Sequence, residues 1–231
     1  MNLRFTVILL LIICRVNISA SQNDEVLTLQ FNPIFGKEAL VLSKSYFSKN
    51  NNDSIQIDVL RFYISDIELL LNGEIVWKEL NSFHLVDASV ISSLQINLIS
   101  SSKPIFDKLK FNVGIDSITN VAGAMGGDLD PTKGMYWTWQ SGYINFKLEG
   151  KSKVCNTRNN EFTFHLGGYK YPYNTLQSVF LNTNNSNELN IVINAEEMIS
   201  KINLSKQNHI MSPSKEAVLL SNELTRIFSV Q

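Results

Sequence analysis

Hydrophobic and polar residues alternate with a period of two along much of the chain. The first such segment places Leu27, Leu29 and Phe31 on one side, with polar residues between them. A period of two puts every second side chain on the same face of a strand, so that one face can pack on a core. The pattern recurs over residues 55–58, 108–113, 144–149, 162–166 and 189–193. It predicts several half-buried antiparallel strands.

One segment is apolar almost without interruption. Between Val59 and Leu71, polar residues are too sparse for one face to be exposed throughout. Such a run predicts a strand that is covered on both faces, or one with a bulge near Leu60 that changes the phase of the alternation. The dipeptide Asn72-Gly73 follows, and this pair is typical of the tight turn of a β-hairpin.

Helical patterns appear late in the chain. Residues 195–202 are long enough for two turns, and Ser212 followed by Pro213 is typical of a helix cap and a first helical residue. Apolar residues then recur at helical spacing on one face. They are Ala217, Leu220, Leu224, Ile227 and Phe228. We therefore predict an all-β fold, an antiparallel β-sandwich closed by a short C-terminal helix.

The N-terminal residues have the layout of a secretory signal peptide. Arg4 precedes a predominantly apolar run from Phe5 to Cys14, and small and polar residues follow as far as Ala20. The run has only about ten residues, whereas a membrane span needs about 20. We predict a cleaved signal peptide over residues 1–20, a single domain over residues 21–231, and a periplasmic or secreted protein.

Composition and charge exclude several classes of protein. The 231 residues are 44% hydrophobic, which argues against a disordered chain. Lys and Arg number 20 against 21 Asp and Glu, so the chain lacks the basic excess of a nucleic-acid binder. The sequence has no dinucleotide, Walker, zinc-protease or nucleophile-elbow motif. Cys155 lies in a polar stretch and is predicted to be a free surface thiol, and the protein is predicted not to be an enzyme.

The segment from Gly123 to Gly150 combines an acidic, glycine-rich loop with an aromatic strand. On a regular strand, Met135, Trp137 and Trp139 share one face. Such a face is typical of a core strand in which the indoles fill volume. We expect both indoles to be at least half buried.

The same loop carries carboxylates that suit calcium. Asp128 and Asp130, together with Asp116, offer the oxygen ligands that calcium prefers. Asp-Pro and glycine-rich sequence also forms ordinary turns, in which a carboxylate accepts hydrogen bonds from backbone amides. Calcium is therefore less favoured here than an ordinary turn, and less favoured than the softer metal considered next.

Three histidines and a methionine are the candidate ligands for a softer metal. His165 alternates with the apolar residues of its strand and is predicted to point away from the core, as a surface residue or as part of a site. His209 precedes Met211 by two residues, and imidazole with thioether suits Cu(I). His84 lies between two apolar residues of a predicted strand, where a hydrogen-bonded structural histidine is the favoured interpretation.

Five short sequences carry a family resemblance. Met-Tyr-Trp-Thr-Trp-Gln-Ser-Gly-Tyr at 135–143 is the most specific, and Gly-Asp-Leu-Asp-Pro at 127–131 precedes it. The others are Phe-Tyr-Ile-Ser-Asp-Ile at 62–67, Phe-His-Leu-Gly-Gly at 164–168 and His-Ile-Met-Ser-Pro at 209–213. Together they resemble the MbnP-like family, which is related to the exported copper-binding proteins MbnP and CorA.

The resemblance implies a function and a partner. Characterised relatives are exported and bind copper through histidines and a kynurenine, which an MbnH-like dihaem enzyme makes by oxidising a tryptophan. By resemblance, Trp137 and Trp139 are the candidates for this modification. If copper binds, His165 and His209 are the expected ligands, with Met211 as a third.

A metal-free alternative stays open. Relatives with the fuller metal signature often carry a histidine in the loop that corresponds to residues 117–122, and this chain has none there. Without a metal, the same fold and aromatic strand would form an exported or cell-surface binding or structural module that recognises a partner through aromatic side chains. Metal binding therefore separates the two functions.

Overall fold

A computed structural model of the protein describes residues 24–49 and 52–231. The strands are β1 (Glu25–Phe35), β2 (Glu38–Ala39), β3 (Ser45–Ser48), β4 (Asp53–Leu71), β5 (Glu74–Lys78), β6 (Phe83–Asp87), β7 (Gln95–Ser100), β8 (Lys108–Val113), β9 (Tyr136–Trp137), β10 (Gly142–Ser152), β11 (Glu161–Gly167), β12 (Gln177–Asn182), β13 (Glu188–Asn194), β14 (His209–Ile210) and β15 (Phe228–Val230). The α-helices are α1 (Ser117–Ala122), α2 (Ala195–Ser200) and α3 (Lys215–Ser221). Short 3-10 helices occupy Ile91–Leu94, Gly127–Leu129, Pro131–Lys133 and Asn222–Arg226.

The predicted signal peptide, residues 1–20, lies outside the described residues. Its cleavage and the single domain over residues 21–231 stay predictions. Among the residues that the structure does describe, none of the helices is long and apolar enough to span a membrane.

The strands form two sheets. The smaller sheet has five strands, in the order β15, β13, β1 and β2, and β7 also pairs with β1. The larger sheet has ten strands, in the order β12, β8, β4, β10, β11 and β14, with β3, β5 and β6 on β4 and β9 on β10. The all-β class and the short C-terminal helix are confirmed.

Two strand pairs run parallel, in contrast to the antiparallel pairing that we expected. β1 pairs with β13 in parallel from Thr28 opposite Glu188 onward. β11 pairs with β14 in parallel, with Thr163 opposite His209. A period of two reports that one face is buried, and it is the same in parallel and antiparallel pairs. The direction of a neighbouring strand therefore does not follow from the alternation.

Four buried phenylalanine rings join the two sheets. The smaller sheet contributes Phe31 and Phe228, and the larger sheet contributes Phe62 and Phe111. Each ring of one sheet meets both rings of the other edge to face, with ring centroids 5.5 to 6.3 Å apart. Edge-to-face pairs at this separation add to the free energy gained by burial. This phenylalanine quartet lies within the main hydrophobic cluster, between the sheets.

Strand β4 is both covered on two faces and bulged. Residues 62–65 and 67–70 are all buried, which explains the continuous apolar run. The register against β10 shifts between Ile57 and Val59, close to the bulge expected near Leu60. At the end of the strand, Asn72 and Gly73 both have positive φ angles, as a tight hairpin turn requires.

The last helix begins two residues later than predicted. Ser214, and not Ser212, caps α3, because its hydroxyl accepts a hydrogen bond of 3.1 Å from the backbone N–H of Ala217. Pro213 instead lies against the end of β11, where a Cβ atom on Gly168 would be 3.0 Å from the Cβ atom of Pro213. Phe228 was predicted on the helix but lies in β15, where its ring completes the phenylalanine quartet.

Cys155 is buried, so the prediction of a surface thiol was wrong. Its backbone N–H donates a 3.0 Å hydrogen bond to the carbonyl of Ser152 in a turn, and its side chain joins the main hydrophobic cluster. Burial raises the pKa of the thiol, which keeps it in the unreactive protonated form. The polar neighbours in the sequence do not indicate which way this one side chain turns.

Replacing one ring of the quartet should destabilise the protein strongly. Phe62→Ala should lower the free energy of unfolding by about 3 to 5 kcal/mol, because it leaves a cavity where three other rings meet. Urea unfolding followed by circular dichroism measures the change. Phe47→Ala is the control, since this ring is 64% exposed, and it should change the free energy by about 0.5 kcal/mol or less. Equal losses in the two variants would contradict the central role of the quartet.

Candidate functional site

Strand β11 presents one face to the core and the other to a polar layer. Phe162, Phe164 and Leu166 belong to the main hydrophobic cluster. The side chains between them therefore project from the opposite face, which we call the outer face of β11. His165 lies there, as the alternation predicts, but it is only 6% exposed. It is a covered residue and not a surface histidine.

The parallel pairing of β14 brings two further candidates to this face. Thr163 lies opposite His209, and Phe164 lies opposite Ile210, which is buried. Because side chains alternate along each strand, His209 shares the outer face with His165. Met211 follows directly after the end of β14, two residues beyond His209. His209 and Met211 are both exposed. The structure thus collects two of the three candidate ligands on one face and places the third just after β14.

His165 has one ring nitrogen in use and one without a partner. Its Nε2 lies 2.6 Å from Oε1 of Glu149. Its Nδ1 is buried and has no hydrogen-bond partner among the described residues. Burial lowers the pKa of His165 below its ordinary value, and Lys147 and His209 act in the same direction, whereas the hydrogen bond that Glu149 accepts raises this pKa. This shift favours the neutral form of the ring, which is the form that binds metals.

Trp137 covers the far end of the same face. It ends the two-residue strand β9, which pairs with Gly142 and Tyr143 of β10. Its six-membered ring lies over Gly167, where a Cβ atom would come within 2.7 Å of Cζ3. Gly167 is two residues beyond His165, so a side chain at Gly167 would project from the outer face, as that of His165 does. Trp137 is 5% exposed, and its Nε1 is buried without a hydrogen-bond partner in the described part of the chain.

Trp139 lies elsewhere, and the prediction that both indoles are buried on one strand face was wrong for this residue. The strand ends at Trp137, and Trp139 falls in the turn that returns the chain to Gly142. Its side chain is 66% exposed. The two indole rings still meet, with centroids 5.8 Å apart and planes tilted by 44°. One tryptophan of the motif is thus buried beside the outer face of β11, and the other is at the surface.

Comparison with known proteins identifies the family. A family model described as MbnP matches residues 24–212. The chain belongs to the MbnP family. Among solved structures, MbnP from Methylosinus trichosporium has a similar fold, with a TM-score of 0.64 and 12% sequence identity over 90% of this chain and 98% of that chain. A comparison with curated proteins finds no match. At 12% identity, the structural likeness concerns the fold alone.

The third histidine of this MbnP family member is not part of the collected set. His84 lies on β6, and its Nε2 is 2.8 Å from Oε2 of Glu79. Strand β6 pairs with β4, β4 with β10, and β10 with β11, so His84 lies three strands away from His165 across the sheet. The structure gives His84 a carboxylate partner and does not bring it to the outer face of β11.

The three aspartates proposed for calcium have local partners. Asp116 caps α1 by accepting a 2.8 Å hydrogen bond from the backbone N–H of Thr119. Asp130 caps the 3-10 helix that follows it, and Asp128 forms an ion pair of 2.6 Å with Lys133. Within residues 24–49 and 52–231, no three or more His, Cys, Asp or Glu side chains form a group that could hold a metal ion. The calcium site stays a prediction.

The same test bears on the copper site. Of the proposed ligands, only His165 and His209 belong to those four residue types, and Met211 and Trp137 do not. Glu149 lies on the same face but does not complete a group of three with the two histidines among the described residues. A site on the outer face of β11 therefore depends on a thioether or on a nitrogen from the tryptophan for its third donor.

Two groups of residues escaped the sequence analysis. Glu149 is a neighbour of His165 across the β10–β11 pair, and its only signal in the sequence is its polar position in the alternating segment 144–149. The second group lines a cavity of about 110 Å³ beside Trp137. Its aromatic members are Tyr169, Tyr171 and Tyr173, in the loop directly after β11. The density of tyrosines in that loop could have indicated a cavity wall.

The burial of the two tryptophans predicts different stability losses. Trp137→Ala should lower the free energy of unfolding by about 3 to 5 kcal/mol, because it empties a buried site over Gly167. Trp139→Ala should cost less than about 1 kcal/mol, because its side chain is mainly in water. Urea unfolding measures both values. A loss at Trp139 as large as that at Trp137 would contradict the turn that separates them.

Proposed function

We propose that the chain is an exported copper-binding protein whose metal site lies on the outer face of β11. The observation that carries the proposal is the β11–β14 pair, which brings His209 to the face that carries His165, with Met211 directly after β14. These residues come from two distant parts of the chain, and a pairing of only two residues aligns them. Two imidazoles with a thioether form a donor set that suits a soft ion such as Cu(I).

The buried nitrogens fit such an ion. A buried polar atom without a partner costs about 1 to 3 kcal/mol, and native proteins contain few of them. Two of the four such side-chain atoms in the described residues are Nδ1 of His165 and Nε1 of Trp137. His165 lies on the outer face of β11, and Trp137 packs over the same face at Gly167. A bound copper ion would supply the missing partner of Nδ1.

Of the two tryptophans, we propose Trp137 as the one converted to kynurenine. Conversion needs an oxidant of the dioxygen or peroxide class, used by the proposed partner enzyme: oxygen is added across the broken Cγ–Cδ1 bond, and hydrolysis then releases Cδ1 as formate. The former Nε1 is left as an aromatic amine, which can act as a nitrogen donor. Trp137 is buried against Gly167 on the face that carries His165, whereas Trp139 points mainly into solvent. The proposed oxidising partner is an MbnH-like dihaem enzyme, as the resemblance of the sequence implies.

The proposed role is binding and not catalysis, and the proposed location is the periplasm or the extracellular space. Location rests on the predicted signal peptide over residues 1–20 and on membership of the MbnP family. Copper bound there would lie at the edge of the larger sheet, because β14 is the last strand on that side. Exposed His209 would then be the ligand nearest to solvent.

A second candidate function is a metal-free binding module. The observation that favours it is the exposure of aromatic side chains around the cavity beside Trp137. Tyr169, Tyr171 and Tyr173 line the wall, and Tyr171 is almost fully exposed. Exposed Trp139 does not line the cavity but meets the ring of Trp137, which does. Exposed aromatic side chains supply much of the contact area in protein interfaces. Such a module would need neither histidine.

Replacing a proposed ligand should weaken copper binding. His165→Asn and His209→Asn should each raise the dissociation constant for Cu(I) by more than about tenfold, because loss of a direct ligand exceeds the effect of its outer partners. Competition with a chromophoric Cu(I) chelator measures the constant. His84→Asn is the matched control and should leave it unchanged. Unchanged affinity in both ligand variants would exclude the proposed site.

The modification should be visible by mass. In protein purified from its native host, the peptide that contains Trp137 should be heavier by about 4 Da, because kynurenine has one oxygen more and one carbon less than tryptophan. Tandem mass spectrometry should place the change on Trp137, with Trp139 and Trp77 unmodified. If both Trp137 and Trp139 are unmodified and no copper co-purifies, the metal-free module becomes the better proposal.

A further inference from the structure

We propose that Glu149 is a positioning residue that determines which ring nitrogen of His165 is open to a ligand. The inference rests on the proposed copper site for the identity of that ligand. The placement of the ring proton depends only on the contacts of His165. Glu149 lies on β10, next to β11, and neither the family match nor the sequence pattern singles it out.

The register of the two strands places the carboxylate diagonally across from the ring. Glu149 pairs with Thr163, and Lys147 pairs with His165, so all four side chains project from the same face. Oε1 of Glu149 reaches Nε2 of His165 at 2.6 Å. This is a short distance for a hydrogen bond donated by a ring nitrogen, as expected for a charged acceptor.

The chemistry of the pair fixes the proton. An ionised carboxylate can only accept hydrogen bonds, so Nε2 must be the donor. A neutral imidazole carries one N–H, and its other nitrogen keeps a lone pair. Nδ1 of His165 is therefore the unprotonated nitrogen. It is also the atom that is buried without a partner in the described residues.

The carboxylate is itself held in place. Nζ of Lys147 lies 3.6 Å from Oε1 of Glu149 and donates a 2.9 Å hydrogen bond to the carbonyl oxygen of Gly134. Gly134 belongs to the loop that leads into β9 and Trp137. Glu149 is thus contacted on one side by Lys147, which is bound to the loop before β9, and on the other side by His165 of β11. These two contacts limit the positions that its carboxylate can take.

The consequence is a ring presented in one tautomer. With the proton on Nε2, the lone pair of Nδ1 is available on the face that also carries His209. With the proton on Nδ1, the same ring could not bind a metal through that atom. Carboxylates that accept the distant N–H of a ligating histidine orient such rings in many metal proteins.

Two substitutions separate the position of the carboxylate from its charge. Glu149→Gln removes the charge but keeps the length, and its amide can donate to Nε2 as well as accept from it. Glu149→Asp keeps the charge but withdraws the carboxylate by one methylene, or about 1.5 Å. Glu161→Gln is the control, because Glu161 is an exposed residue of β11, the strand that carries His165. Backbone amide spectra check that each variant is folded.

The first readout needs no copper. Long-range ¹⁵N–¹H NMR of the ring nitrogens, in protein without metal, should show His165 with its proton on Nε2 alone. His165→Asn identifies its signals by their loss. In Glu149→Gln and Glu149→Asp, a fraction of the rings should carry the proton on Nδ1, whereas Glu161→Gln should match the parent protein.

The second readout is the affinity for Cu(I), measured with the same chelator competition. Both Glu149 variants should bind about 10- to 100-fold more weakly than the parent protein, as is typical for the loss of an outer partner of a ligating histidine. A normal affinity in Glu149→Asp with a reduced one in Glu149→Gln would mean that charge and not position matters, and would overturn the proposal.

The two readouts also separate this inference from the proposed function. A proton on Nδ1 in the parent protein, or an unchanged tautomer in both Glu149 variants, would overturn the role of Glu149. If the tautomers behave as expected but the parent protein binds no Cu(I), the copper function fails while the positioning of the ring stands.

Discussion

The packing of the two sheets against each other determines which side chains point to the core and which point outward. The phenylalanine quartet joins the smaller sheet to the centre of the larger one and so decides which face of each strand is internal. Side chains alternate along a strand, so an inward Phe164 requires an outward His165. The same constraint acts on the neighbouring strand β10, where an inward Leu148 leaves Glu149 on the outer face. The polar face is thus a geometric consequence of the core.

The outer face of β11 is polar but covered. If this face were exposed, it would not hold the ring of His165 in one orientation. Trp137 packs over Gly167, and Lys147 connects β10 to the loop before β9. Covering this face removes water from His165, and the loss must be offset by partners within the protein. Glu149 offsets it for one ring nitrogen only. Nδ1 of His165 is buried without a hydrogen-bond partner in the described residues, which lowers the stability of the fold. Proteins retain such unpaired buried atoms mainly where a function depends on them.

The sequence predicts this arrangement unevenly, for physical reasons. The alternation over residues 162–166 was sufficient to place His165 on the outer face, because a period of two has a single structural meaning. It could not place His209, since β14 has two residues and is held by its neighbour and not by any pattern of its own. Nor could it place Trp139, because a strand and a tight turn can share the same local sequence. Contacts between distant segments decided each of these cases.

The two tryptophans of the motif lie in different environments although they are only two residues apart in the sequence. A continuous strand would have placed both indoles on one face, but β9 stops after Trp137, so the chain turns and leaves Trp139 in solvent. The proposed copper site uses the buried indole, whereas the metal-free module would use the exposed one. The rings touch, yet their environments differ in water content and in packing. Because Trp137 also lines the cavity of the metal-free module, its conversion would change both the proposed metal site and that cavity, whereas a change at exposed Trp139 would affect only the surface beside them.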